Sequence, residues 1–563
     1  QWTEPPQAVS ALPLDGGVGL AALRAAPALP SSPLTVTDPQ QHSSAALRFD
    51  ITLPPHGSHT LGWTAPLGAR PAPAGETTAP DTAALDARFD AAAAHWRERL
   101  NRVGMQVPPP AQPVVDTLRT SLAHILMSRN GPALQPGTRS YARSWVRDGA
   151  MMVAGLVRLG ELDAAREFTD WFAGHIFASG KVPCCVDQRG ADPVVENDSH
   201  GQYLYAVAEV WRHTQDRAFL QRHWPQVQRV LAWMESLRQS ERTAANRTPQ
   251  RAHLFGLMPP SISHEGYSDK AAYSHWDNFW ALRGYKDAVL MAQALGQDAQ
   301  ASLWAPWRDE FERELVASIE ATRQVWGINF IPGAADRGDF DATSTTMALN
   351  PAQAAVPAAM LQATFERYWQ EMNARSEGRR AYRDYTPYEL RTVGALTRLG
   401  HSDRAHAMLD FFFKDQRPHG WNQWAEVVLP NPREPRFLGD MPHAWVSSDY
   451  IRSALDLFAF ETEGDTSVHI GAGLKPEWLA QGDVQVQGLS TPHGPLHYRL
   501  QRQPQGWTLT LPQALPRPPA AVVLHWPGTG LVPRASHSGQ PLAWRGRQLT
   551  LPAAPAVVQL VAE

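Results

Sequence analysis

Lysine is almost missing from this chain: Lys181, Lys270, Lys286, Lys414 and Lys475 are the only ones among 51 basic residues, the rest being arginine. No block of basic side chains occurs, and 55 acidic residues leave a net charge of −4. Nothing here is built to neutralise a run of phosphates, which excludes nucleic acid as a partner. Cysteine is scarcer still. Cys184 and Cys185 are neighbours, so they cannot staple distant segments, and a disulfide between them would be strained; they read as two buried thiols with no bearing on compartment. Apolar runs of about 18 residues are absent, which excludes a membrane-spanning helix. Gln1 to Ala8 lack the basic start and apolar core of a signal peptide, leaving cytoplasm and periplasm of a bacterium equally open.

What is present points to a large folded protein. The 563 residues exceed the usual domain of roughly 100–200 several times over, so two or three domains are expected. With 43% hydrophobic and 19% charged residues the composition is globular, not disordered or fibrous. The 21 tryptophans are the informative excess. An indole offers a flat face for stacking on a sugar ring and one N–H donor, although a large helical core also uses tryptophan.

Along the chain, residues 1–80 read as short strands broken by Pro and Gly, as if a β-domain were entered partway, and 81–108 as a linking helix with Phe89, Trp96 and Leu100 near one face. Residues 109–463 alternate amphipathic segments with brief turns and long loops. The clearest pairs are 149–159 with 163–177, 201–213 with 218–237, 276–294 with 299–321, and 387–399 with 403–413. Segments 113–128, 351–369 and 444–460 bring the number to about eleven, near the twelve of a closed ring of six helical hairpins; an open solenoid would show a fixed repeat, which is absent. Residues 464–563 alternate as antiparallel strands do and predict a C-terminal β-sandwich. The expected fold is therefore mainly α, an (α/α)6 toroid flanked by β-domains.

In such a ring the long loops 138–148, 178–200, 255–276, 327–346 and 417–443 line one funnel, and they hold the unusual chemistry. In "SYARSWVRDGAMM", Trp145, Arg147 and Asp148 precede an apolar helix face, either as a helix cap with its ion pair or as a clamp on sugar hydroxyls. Glu196, Asn197 and Asp198 open the helix carrying Tyr203 and Tyr205, where a capping set is also common. The densest cluster is His264, Glu265, Tyr267, Trp276 and Asp277 with Trp280. In the last loop Trp421 and Trp424 precede Glu426, with Asp440 and His443 before the final helix. A carboxylate amid "WAEVV" is costly to bury unless it is used or paired, for instance with Arg436.

The elements "SWVRDGAMM", "ENDSHGQYLYAVAEVW", "SHEGYSDKAAYSHWDNFWALRGYKDA" and "WAEVVLPNPREPRFLGDMPHAWVSSDY" resemble those of the six-hairpin toroid glycoside hydrolases, most closely the glucoamylase family, over residues 110–460. The resemblance implies that Trp145, Arg147 and Asp148 grip a terminal sugar, that Glu265 is the general acid and Glu426 the general base. "SHEGYS" and "ENDSHG" stand where glucoamylases carry paired acids and an Arg-rich loop, and the C-terminal region is similar to the terminal β-domain of bacterial α-L-rhamnosidases, so the sugar stays open between an α-glucoside and an α-rhamnoside.

The expected reaction is exo-acting, inverting hydrolysis of an oligosaccharide or glycoside. Glu196 and Asp198 are the reserve acids and Asp440 the reserve base. No cofactor is required, and no tight metal-ligand spacing such as H-E-x-x-H is found near these loops. Two alternatives are a polysaccharide lyase using Tyr267, Tyr273, His264 or His443 as base, and a sugar-binding toroid without catalysis.

Overall fold

The computed structural model describes residues 52–58, 82–262, 267, 269–431, 434 and 441–562. The chain divides into two compact units, Gln1–Arg99 and Leu100–Glu563. The expected N-terminal β-domain lies almost wholly outside the described residues. Of the first unit there is a turn, with Gly57 N–H donating to the Pro54 carbonyl, and helix α1 (Thr82–Leu100). On α1 the anticipated apolar face is incomplete, because Phe89 is 73% exposed.

The second unit opens with strand β1 (Gly104–Gln106) and helix α2 (Gln112–Met127). Hairpins follow in pairs: α3 (Val146–Arg158) and α4 (Leu162–Ala173), α5 (Asp198–Thr214) and α6 (Arg217–Ser240), α7 (His275–Leu295) and α8 (Asp298–Trp326). Next come α9 (Ala358–Ser376), α10 (Arg391–Arg398), α11 (Ser402–Phe413) and α12 (Ala444–Phe458). Every residue of α3 and α12 is buried, whereas α6, α8 and α9 bury a single stripe. That difference separates an inner ring from an outer one. Around the inside, α3 packs on α5, α5 on α7, α10 on α12 and α12 on α3. At the α5–α7 crossing, a side chain at Gly201 would come within 2.0 Å of the Trp280 carbonyl oxygen, and one at Gly284 within 2.9 Å of the Gly201 Cα. Only hydrogen fits at either position.

Between α7 and α10 the ring is closed by a short helical turn, Ala342–Thr345 continuing through Thr346–Ala348, which touches both helices. Asp341 caps it, accepting from Thr343 N at 2.9 Å and Ser344 N at 3.1 Å. The sequence reading instead has a helix over 351–369. Pro351 and Pro357 move that helix later, since the residue before a proline avoids helical angles and Pro357 is itself extended; it begins at Ala358. With the turn counted, six inner and six outer elements make the toroid.

Beyond α12 the strands are β5 (Ala459–Thr462), β6 (Ser467–Ile470), β7 (Val484–Thr491), β8 (Gly494–Gln503), β9 (Gly506–Leu511), β10 (Ala521–His525), β11 (Arg534–His537), β12 (Gln540–Leu542), β13 (Gln548–Thr550) and β14 (Ala556–Val561). They form a seven-stranded sheet ordered β1-β7-β8-β9-β14-β11-β12 and a four-stranded sheet ordered β13-β10-β6-β5. Alternate residues of β7 and β8 are buried, which is the period-2 pattern seen in the sequence. The linking segment thus ends in a strand: β1 pairs antiparallel with β7, Met105 opposite Val486.

Candidate active site

The long loops deliver their polar residues to the N-terminal ends of the inner helices. Three short strands brace the first of these: β2 (Ser144–Trp145), β3 (Cys185–Asp187) and β4 (Gly190–Ala191). Trp145 pairs with Cys185, and Val146 N–H donates to the Cys184 carbonyl at 3.0 Å. Trp145 is extended, so Arg147 and Asp148 fall in the first turn of α3, both buried. Asp148 is therefore no helix cap. Arg147 Nη1 lies 2.9 Å from Glu196 Oε2 and 3.8 Å from Asp198 Oδ2, and Nε lies 3.7 Å from Asp148 Oδ2. Its guanidinium also sits 4.9 Å from the centre of the Trp445 ring.

Asp198 begins α5. Its Oδ2 accepts from Gln202 Nε2 and from Trp276 Nε1, each at 2.8 Å. Burial holds its carboxyl above the usual range, opposed by Arg147 and reinforced by Glu196. One layer behind, Asp277 in the first turn of α7 accepts from Ser261 Oγ at 2.6 Å. Burial pushes Asp277 well up, and Asp198 adds to the push. Acid at helix N-termini is favoured by the helix dipole, but here several acids share a dry space and protonation relieves them.

Glu426 is half-buried and held by two phenols: Tyr141 donates to Oε2, and Tyr388 to Oε1 at 3.1 Å. The loop beneath it is pinned by paired backbone bonds between Tyr385 and Val428, at 3.0 and 2.8 Å. Tyr388 packs on Trp445 with ring centres 4.3 Å apart, and His443 lies 5.4 Å from Tyr141. His443 caps α12, its Nδ1 accepting from Val446 N at 3.4 Å. Arg391 stands 5.0, 4.9 and 5.1 Å from the rings of Trp276, Tyr388 and Trp445, and its Nε is 2.9 Å from Asp449 Oδ2. A continuous chain of contacts so joins Glu426 to the Arg147 cluster.

Glu265, His264 and Asp440, with Arg436, lie outside the described residues. The base of the Glu265 loop is described: Ser261 and Ala272 exchange backbone bonds at 3.2 and 3.1 Å, beside Asn197, whose N–H reaches Ser261 Oγ at 3.4 Å.

Three sequence expectations need correction. Trp276 is wholly buried and its N–H serves Asp198, so it orients a carboxyl and is no stacking surface for a sugar. Trp424 is likewise core, donating to the Phe412 carbonyl at 2.8 Å and stacked on Phe413. Tyr267 is buried and its hydroxyl is committed, donating to Asp339 Oδ2 at 2.8 Å under the Arg337 guanidinium. Of the five indoles singled out in these loops, Trp280 is wholly buried as well, whereas Trp145 is half-buried and Trp421 is 64% exposed, so these two can meet a ligand. Tyr141, Tyr388, Arg391 and Trp445 were not foreseen. Tyr141 sits three residues before Ser144 in the first loop, and Trp445 two after His443; both lay inside motifs already singled out.

The architecture is an (α/α)6 toroid followed by a two-sheet β-domain, with an acidic, aromatic site at the inner-helix N-termini. The same fold is found in solved α-L-rhamnosidases. One from Dictyoglumus thermophilum aligns with a TM-score of 0.55 at 9% identity, over 81% of this chain and 50% of that one. One from Streptomyces avermitilis, complexed with L-rhamnose, gives 0.51 at 15% identity over 81% and 42%. A GH78 family rhamnosidase of Bacillus sp. GL1 gives 0.51 at 14% over 73% and 40%. The chain thus spans half or less of the length of these rhamnosidases. No protein-family model matches the chain, and no curated protein is similar to it.

Proposed function

We propose that the chain is an exo-acting glycoside hydrolase that inverts the anomeric centre of a terminal α-linked sugar, an α-rhamnoside or α-glucoside. The observation that carries this reading is Glu426, a carboxylate presented by two tyrosyl hydroxyls and linked through Trp445 to the Arg147 cluster. Clustered carboxyl groups and a fixed guanidinium suit the hydroxyls of one sugar, with Trp145 against its apolar face. Glu426 takes a proton from the attacking water, and Glu265 gives one to the leaving oxygen from the opposite side of the ring. Their carboxyl groups should stand roughly 6.5–9.5 Å apart, leaving room for the water. Glu265 belongs to a loop whose base meets Asn197 and Asp277, which supports its assignment. If Glu265 proves dispensable, Glu196 and Asp198 are the next acids.

A lyase would need a phenolate or imidazole base. Tyr267 and Tyr273 serve this poorly: burial and neighbouring carboxylates push Tyr267 up, and push Tyr273 up to about 12, with its hydroxyl committed to Glu241.

The test is a panel of aryl α-L-rhamnosides, α-D-glucosides and oligosaccharides, with the anomer first released followed by NMR. Inversion with loss of turnover in Glu426→Gln is the expected outcome. An unsaturated ultraviolet-absorbing product, retention, or binding without turnover would overturn the proposal.

A further inference from the structure

The two cysteines, unused by the hydrolytic chemistry, sit together with a third potential ligand on the β3–β4 hairpin. Cys184 Sγ and Cys185 Sγ are 2.8 Å apart and buried. Asp192 lies across the hairpin, its backbone N–H donating to the Cys185 carbonyl at 2.9 Å. One ligand atom from each of Cys184, Cys185 and Asp192 falls within 4.8 Å of the others. Asp192 is half-buried and so opens the group to solvent. A cation already leans on it: Arg143 Nη1 is 3.3 Å from Cys185 Sγ and 3.5 Å from Asp192 Oδ2, while Asp187 holds the other edge of the guanidinium at 2.6 and 2.9 Å.

We infer that Cys184, Cys185 and Asp192 form a site for one thiophilic divalent cation of the zinc class. Two thiolates and a carboxylate are the ligands such an ion prefers, and three protein ligands leave a fourth tetrahedral position for water. The two thiol protons leave as the ion enters, and Arg143 gives up Cys185 and Asp192 but keeps Asp187. Hard cations such as magnesium, which take oxygen ligands, are not held. The site adjoins the sugar clamp, because Cys185 pairs with Trp145 and Arg143 lies 5.5 Å over the Trp145 ring. It does not depend on the hydrolase proposal and is read with the metal alone.

The experiment titrates reduced full-length protein with cadmium chloride, following the thiolate-to-metal absorption band, and repeats it with zinc by equilibrium dialysis. One ion per chain is expected, with the band lost in Cys184→Ser and in Cys185→Ser. Asp192→Asn should weaken binding by about 10–100-fold or more. No band, or a band and stoichiometry unchanged by these substitutions, overturns the site. Should Cys184→Ser fail to fold, as circular dichroism would show, Cys185→Ser and Asp192→Asn decide the matter alone.

Discussion

The two ends of the toroid carry similar residues and put them to different use. At the C-terminal ends of the inner helices a cavity of about 1150 Å³ opens toward residues 461–466, 492–493 and 517–518 of the β-region. Several arginines that line it are held in ion pairs. Asp456 lies 3.0 Å from Arg158 and 2.6 Å from Arg398; Arg283 lies 2.5 Å from Asp287 and 2.7 Å from Glu463, and Arg212 also pairs with Asp287. At the N-terminal ends Asp148, Glu196 and Asp198 gather around one guanidinium, and Asp277 has no ion pair among the described residues. Acids in the first turns of α3, α5 and α7 suit the positive end of the helix dipole, although guanidiniums occur at both ends. Volume, then, does not locate the chemistry. Matched charges hold the helices to the β-strands, while crowding of buried acids raises the proton affinity of Asp198 and Asp277.

Breaking each end should give opposite phenotypes. Glu426→Gln should lower kcat by about 10²–10⁴-fold and leave unfolding unchanged, as steady-state kinetics and thermal melts would show. Asp456→Asn removes the partner of two buried guanidiniums; denaturant unfolding should show a loss of about 3–5 kcal/mol, with the folded fraction as active as before. Equal loss of activity in both variants would erase the distinction drawn here. Tyr388→Phe takes one donor from Glu426, worth about 1.5–3 kcal/mol for a bond to a charged group, so kcat should fall roughly 10–100-fold without unfolding.

The smallest effect concerns Asp277. A carboxyl raised in the folded state binds more protons there than in the unfolded chain, so stability falls as pH rises above the ordinary Asp value toward the raised one. Asp277→Asn should flatten that slope and be the more stable protein at neutral pH, measured as unfolding midpoints from pH 4 upward. An unchanged slope would show that Asp277 is not the group whose raised proton affinity sets the pH dependence.

Much of this was visible in residue order. Hairpin pairs such as 201–213 with 218–237 fall within three residues of α5 and α6, because burial of one helix face repeats locally. The fourth inner element has no signal in the sequence, since Ala342–Thr345 is a single turn, too short for periodicity to register. Tryptophan count misled for a related reason. Indoles favour sugar stacking and helix cores alike, and Trp276 and Trp424 went to the core.

Residue order alone settled that helices pair, that strands follow them, and that acids open the inner helices, because turn chemistry, apolar period and capping act over a few neighbours. Folding alone settled which groups meet. Tyr141 and Glu426 are 285 residues apart, and Arg147 at the start of α3 joins Glu196 and Asp198 at the start of α5 and Trp445 at the start of α12. Such contacts follow from closure of the ring, which no local pattern encodes, and so do the proton affinities of Asp198 and Asp277, which depend on water being shut out from every side.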